Sequence, residues 1–164
     1  MHGTIFLLSE TDKALDKALL ARCRREAFRY FGDIFDCIDE MVVQDLGEEC
    51  DRFLDDVKEY AEVDGRRITF TIRGLYKHDF GSFGYPDRTG RIYVDYFIYL
   101  DWLSRHRSSL IPVVLIDSHD VLSMGYSLLD AVLQPLYSDI LSGRFPDAMQ
   151  THSYYFSGAL DYHY

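Results

Sequence analysis

The stretch "RRITFTIRG", Arg66 to Gly74, is where the hydrophobic period of the chain changes. Ile68, Phe70 and Ile72 alternate with Thr69 and Thr71, which predicts a strand over about 67–73 with one buried face. Before it the period is helical. Leu15, Leu19, Cys23, Ala27 and Tyr30/Phe31 predict a helix over about 10–31, entered by a capping box at "SETD" (Ser9 to Asp12) and ended by Gly32. Ile34, Phe35, Ile38, Met41 and Val42 predict a second helix, about 33–46. Phe53, Leu54, Val57, Tyr60 and Ala61 predict a third, about 48–62, ahead of a turn at Asp64-Gly65. Thr4 to Leu8 reads as a short strand in front of them all.

Beyond Gly74 the pattern is mixed. A Gly-, aromatic- and charge-rich loop, 74–90, reads as a binding loop or as a long connection. "RIYVDYFIYL" predicts a strand over about 91–99, "PVVLI" a short buried strand over about 112–116, and 152–156 a last one. Leu128, Leu129, Val132, Leu133, Leu136, Tyr137, Ile140 and Leu141 predict a C-terminal helix, about 127–142, kinked or restarted at Pro135 and ended by Gly143. Helices followed by a β-rich part give one α+β domain, 1–164. Its N-terminal helices would pack on a small mixed or antiparallel sheet, with the C-terminal helix added.

The formal net charge is −10 over 164 residues. Such a chain is repelled by nucleic acid and by anionic membranes, and attracts basic proteins. The three cysteines, Cys23, Cys37 and Cys50, form no CxxC pair and are odd in number, which argues against a disulfide scaffold or zinc site and for a reducing cytoplasm. No apolar run approaches the ~20 residues of a membrane span, and the N-terminus lacks the basic segment of a signal peptide. The expectation is a cytoplasmic protein.

No nucleotide-loop, dinucleotide, zincin or hydrolase-elbow motif occurs, so no cofactor is called for and an enzyme is disfavoured. The most enzyme-like element is "LIDSHDVLS", Leu115 to Ser123, a buried strand ending in Asp117, Ser118, His119 and Asp120. Asp117 and Asp120 could hold a metal with His119 as ligand or base, which gives the alternative of a small metal-dependent hydrolase. The plainer reading is a loop in which Asp117 or Ser118 caps a short helix. A basic cluster of Arg66, Arg67, Arg91, Arg105, His106 and Arg107 could dock an anion, or pair with the chain's own acids.

The strongest signal is acidic. Asp33 to Asp64 holds thirteen acidic residues against Arg52 and Lys58. In the second helix Asp33, Asp36, Asp39 and Glu40 are like-charge neighbours with no cation to offset them. From Glu48 to Glu62, opposite-charge spacings equal like-charge ones. Carboxylates on adjacent helical turns lie about 5–6 Å apart, a spacing able to engage cations arranged for backbone phosphates. In size, acidity and lack of catalytic motifs the chain is similar to nuclease-toxin immunity proteins and to DNA-mimicking antirestriction and anti-CRISPR proteins. That similarity implies an acidic inhibitor of a basic nucleic-acid-binding protein (nuclease, CRISPR effector or restriction enzyme), binding no nucleic acid or membrane itself. The implied contact residues are Asp33, Asp36, Asp39, Glu40, Asp55, Asp56, Glu59 and Glu62.

Overall fold

Two short apolar runs, "IFLL" (Ile5–Leu8) and "VVLI" (Val113–Ile116), build the centre of the structure. In the computed structural model, which describes residues 2–32, 37–40, 47–80 and 111–163, they lie in strands β1 (His2–Ser9) and β5 (Val113–Ile116). The two pair in parallel, Phe6 beside Val113 through Ser9 beside Ile116. Both are buried on both faces, which is why they read as continuous rather than alternating apolar runs. Ile5, Leu7, Val114 and Ile116 turn to one side, and Phe6, Leu8, Val113 and Leu115 to the other.

Each side is covered by helices. Helix α1 (Lys17–Phe31) lays Leu19, Cys23, Ala27 and Phe31 on the first face. Helices α2 (Gly47–Val57), α3 (Ile72–Phe80) and α4 (Leu128–Leu133) cover the second, through Phe53, Leu54, Val57, Leu75, Leu129 and Leu133 among others. The remaining strands are β2 (Cys37–Glu40), β3 (Glu62–Asp64), β4 (Arg67–Thr71), β6 (Val121–Gly125) and β7 (Thr151–His163). The sheet order is β3-β4-β7-β1-β5-β6, with β2 also paired to β7. Only the β1–β5 pairing is parallel among the described strands, so the chain is an α+β protein with a mixed sheet.

Strand β7 organises this layout. One of its edges carries β1, from His2 beside His163 to Ser9 beside Tyr155. The other edge carries β4 opposite Thr151–Tyr155 and β2 opposite Leu160–His163. Gly3 lies opposite Tyr162, whose ring occupies the space a Cβ at Gly3 would need.

Several expectations are corrected. The "SETD" box does not start a helix: Ser9 is the last residue of β1, and α1 begins at Lys17 behind Asp16, whose carboxylate accepts from the Leu19 amide at 2.7 Å. The expected helix 33–46 is not helical at 37–40, which form β2; the rest of it lies outside the described residues. Cross-strand hydrogen bonds to β7 there replace a helix that would have stacked uncompensated like charges. The third helix stops at Val57, because Glu62–Asp64 turn back as β3 around Gly65 at φ +60°. Strand β4 ends at Thr71, whose hydroxyl accepts from the Gly74 amide and caps α3, so the first part of the 74–90 loop is helical. The strand expected at 91–99 lies outside the described residues. The C-terminal helix is three pieces, α4, a 3-10 turn Gln134–Leu136 holding Pro135, and α5 (Tyr137–Leu141).

Glycine 125 marks the closest approach of sheet to helix. A Cβ there would collide with the Ala131 backbone nitrogen in α4. Gly125→Ala should therefore destabilise by on the order of 1–3 kcal/mol, read as a fall in Tm of several degrees. His152 supplies a pH test. It stacks on Phe70 at 5.8 Å with its Nε2 buried and without a hydrogen-bond partner among the described residues, and burial lowers its pKa. The unfolded chain thus takes up the proton first, so this stability is present above about pH 6.5 and lost as pH falls through the folded value. Tm should drop between about pH 7.5 and about pH 5, and drop less in His152→Phe. An unchanged pH profile in that variant would contradict the assignment.

Candidate interaction surface

Helix α2 is amphipathic in a specific way. Phe53, Leu54 and Val57 are buried against the sheet, and Phe53 meets the ring of Phe6 at 4.5 Å. The residues left in solvent are Glu48, Asp51, Arg52, Asp55 and Asp56, followed by Lys58, Glu59 and Glu62. Of the opposite-charge spacings in this run, Lys58 to Asp55 forms an ion pair at 2.6 Å. The Arg52 guanidinium reaches the Thr4 hydroxyl at 3.5 Å, and Glu59 meets the His78 ring at 3.3 Å. Glu48, Asp51, Asp56 and Glu62 have no ion pair among the described residues.

The other expected contact residues fall elsewhere. Asp33 and Asp36 lie outside the described residues. Asp39 and Glu40 sit in β2, at register positions opposite Asp161 and Leu160, so the helical spacing that would align Asp36 with Glu40 does not hold. Asp55, Asp56, Glu59 and Glu62 do run together, from the end of α2 into β3.

Beside α2 lies a cleft of about 410 Å³, which the sequence did not point to. Phe156, Ser157 and Gly158 floor it, on the edge of β7 that among the described residues carries no strand between β4 and β2. Ser157 is the extra residue of a β-bulge opposite Leu7 and Leu8, and its hydroxyl donates to the Tyr155 carbonyl at 3.0 Å. Gly47, Cys50, Asp51 and Leu54 of α2 make one wall, and Gly65 with Arg66 the other. A β-bulge and a strand shared by two partners leave no periodic trace in sequence. The Asp64-Gly65 turn is the one legible signal there.

The residues of the hydrolase alternative form the turn of the β5–β6 hairpin. Asp117 Oδ1 accepts from the amides of His119 and Asp120, both at 2.6 Å, and these bonds hold its carboxyl below the usual range. Asp120 is likewise lowered, first by the Val121 amide and then by Arg22, with which it pairs at 3.0 Å. Ser118, His119 and Asp120 are exposed on the hairpin tip, where Arg22 of α1 also reaches the His119 carbonyl at 3.4 Å. No group of three metal-ligating side chains is gathered among the described residues. In the basic cluster, Arg66 pairs with Asp12 at 3.3 Å and Arg67 with Asp64 at 3.5 Å, while Arg91, Arg105, His106 and Arg107 lie outside the described residues.

The Cys23 thiol is pushed up to about 12 by burial under α1, and Cys50 is raised by burial and by Asp51. Neither has the depressed pKa of a nucleophile. No described helix is long and apolar enough to cross a membrane. No family model, curated protein or solved structure matches the chain.

If Asp117 serves the turn, Asp117→Ala should lower Tm, while Asp117→Asn, which keeps a side-chain acceptor, should retain most of the stability. The carboxylate contribution is present above about pH 4 and lost as pH falls through the lowered folded value, so the Ala variant should flatten the acid limb. Equal Tm for wild type and Asp117→Ala would refute the structural role.

Proposed function

We propose that this chain is an acidic protein-interaction module that inhibits a basic nucleic-acid-handling protein by presenting carboxylates in place of phosphates. The observation that carries the reading is the solvent side of α2 and its continuation into β3. It exposes six acidic side chains, Glu48, Asp51, Asp55, Asp56, Glu59 and Glu62, against Arg52 and Lys58, and Lys58 is engaged by a single carboxylate. The contact residues are Asp55, Asp56, Glu59 and Glu62, joined by Glu48 and Asp51. Docking of this kind is steered by long-range attraction, which makes association fast and salt-dependent. Rim charges in such a contact mainly set the on-rate, and those that become desolvated set the off-rate.

The test is capture from the native host's lysate, comparing wild type with Asp55→Lys/Asp56→Lys. Both positions are exposed, so the fold should be little affected. The wild type should retain a basic protein at roughly 50 mM salt and release it near 300 mM, and block that protein's binding to DNA or RNA. The variant should weaken capture by about tenfold or more. Capture that ignores salt and charge reversal, or a captured protein whose nucleic-acid binding is unaffected, would reject the reading.

A further inference from the structure

We infer that the basic solvent face of α1 docks on the acidic surface of α2 and β3 of a second copy of this chain, so that the protein associates head to tail. The inference rests on the interaction reading above and adds how its surface is regulated: a copy seated there competes with the basic partner. Helix α1 carries Lys17, Arg22, Arg24, Arg25 and Arg29 against Glu26 alone, a local surplus of four positive charges in a chain of formal net charge −10. Burial of Leu19, Cys23, Ala27 and Phe31 fixes which side of the helix meets water. Lys17, Ala21, Arg24, Arg25, Phe28 and Arg29 are exposed on that side. Ala21 and Phe28, seven residues apart, lie on one line along the helix, with Lys17 and Arg24 on one flank and Arg25 and Arg29 on the other. Phe28 keeps 52% of its surface in solvent. Arg22 pairs with Asp120 at 3.0 Å, and Glu26 is divided between Arg29 at 3.1 Å and Arg25 at 4.0 Å. Helix formation does not require this pattern. Lys17 opens α1, where the positive end of the helix disfavours a cation, and the first turn holds no acid. Aromatic and arginine side chains are instead the types enriched in protein interfaces.

Charge complementarity selects the occupant, and the chain itself supplies the complement. Asp55, Asp56, Glu59 and Glu62 stand exposed from the end of α2 into β3. Within one molecule the two surfaces cannot meet. Helix α1 packs on the sheet face that holds Ile5, Leu7, Val114 and Ile116, and α2 packs on the opposite face. Two copies can bring them together. Both copies carry the same net charge, but screening over about 8 Å at physiological salt lets the facing patches set the sign of the contact. Because a different patch is used on each side, the contact is heterologous and continues into a ring or an open chain. One helix face on another falls below the roughly 1,200 Å² of stable interfaces, so the association is weak and reversible. A reversible contact can yield the acidic surface to a tighter partner.

The experiment is sedimentation velocity on the purified chain. The weight-average sedimentation coefficient should rise with protein concentration at roughly 100 mM salt and stay at the monomer value at about 500 mM. Lys17→Glu/Arg25→Glu should weaken association by about tenfold or more. Its Tm should hold or rise, because an acid then opens the helix. Asp55→Lys/Asp56→Lys should be monomeric as well. Mixed one to one, the two variants should form a complex again, since one keeps the acidic surface and the other the basic face. No concentration dependence at roughly 100 mM salt, or no complex in the mixture, would overturn the inference. So would a DNA duplex held by the α1 face of a chain that does not self-associate. Salt-dependent capture of a basic partner by a chain that stays monomeric would sink self-association alone. Self-association together with capture that ignores salt would sink the interaction reading alone.

Discussion

The structure depends on β7 being long enough to serve three strands. Thirteen residues, Thr151–His163, hold β1 along one edge and β4 and β2 along the other. A strand rises about 3.3 Å per residue, so β7 spans the whole sheet while β2 and β4 each cover only part of it. Among the described residues an interval, Phe156–Ala159, separates β4 from β2 on that edge. The bulge at Ser157 falls in the same interval, where it interrupts the β1–β7 register between Leu7 and Leu8. Because α2 must bury Phe53, Leu54 and Val57 against the sheet, its first turns are held over this gap.

The two-sided burial of β1 and β5 explains where the charge can go. Ile5 to Leu8 and Val113 to Ile116 are at most 6% exposed, so the centre of the sheet accepts no ionised side chain on either face. The buried carboxylate that does occur, Asp130, sits at the sheet's margin in a capping arrangement. Its Oδ2 accepts from the Tyr126 amide at 2.8 Å, and its own amide donates to Ser127 Oγ.

This distribution also shows what could be read in the sequence. The class followed from the change of period at Arg66–Gly74, and α1, β4, β5 and the Pro135 break were each legible because one periodic face or one breaker residue fixes them. Cys37–Glu40 was misread because Ile34, Ile38 and Val42 fit helical spacing, whereas pairing with the far end of β7 is a contact more than a hundred residues away that no local pattern encodes. Strand β6 was missed because "VLSMG" carries only weak alternation, and its strand state comes from pairing with β5 across the Asp117 turn. Of the candidate site, the carboxylates of α2 were visible one by one. Which spacings become ion pairs was not, since that depends on side-chain rotamers, as where Lys58 takes Asp55 at 2.6 Å.

Solubility alone would account for a net charge of −10 but not for how the acids are used. In the C-terminal part Asp117 shapes a turn, Asp120 pairs with Arg22, Asp130 caps α4, Asp139 takes a forked contact from Arg144, and Asp147 accepts from the Met149 amide. At the N-terminus Asp12 holds Arg66, Asp16 caps α1 and Glu26 meets Arg29. These named carboxylates each have a structural task. On α2 and β3, the N-terminal helix end rationalises Glu48, while Asp51, Asp56 and Glu62 serve no cap, turn or ion pair among the described residues. Repulsion between neighbouring carboxylates there works against the helix by a few tenths of a kcal/mol per pair. Where those acids serve the fold, Asp51, Asp56 and Glu62 stand exposed without such a role among the described residues, which concentrates unused electrostatic potential on one surface.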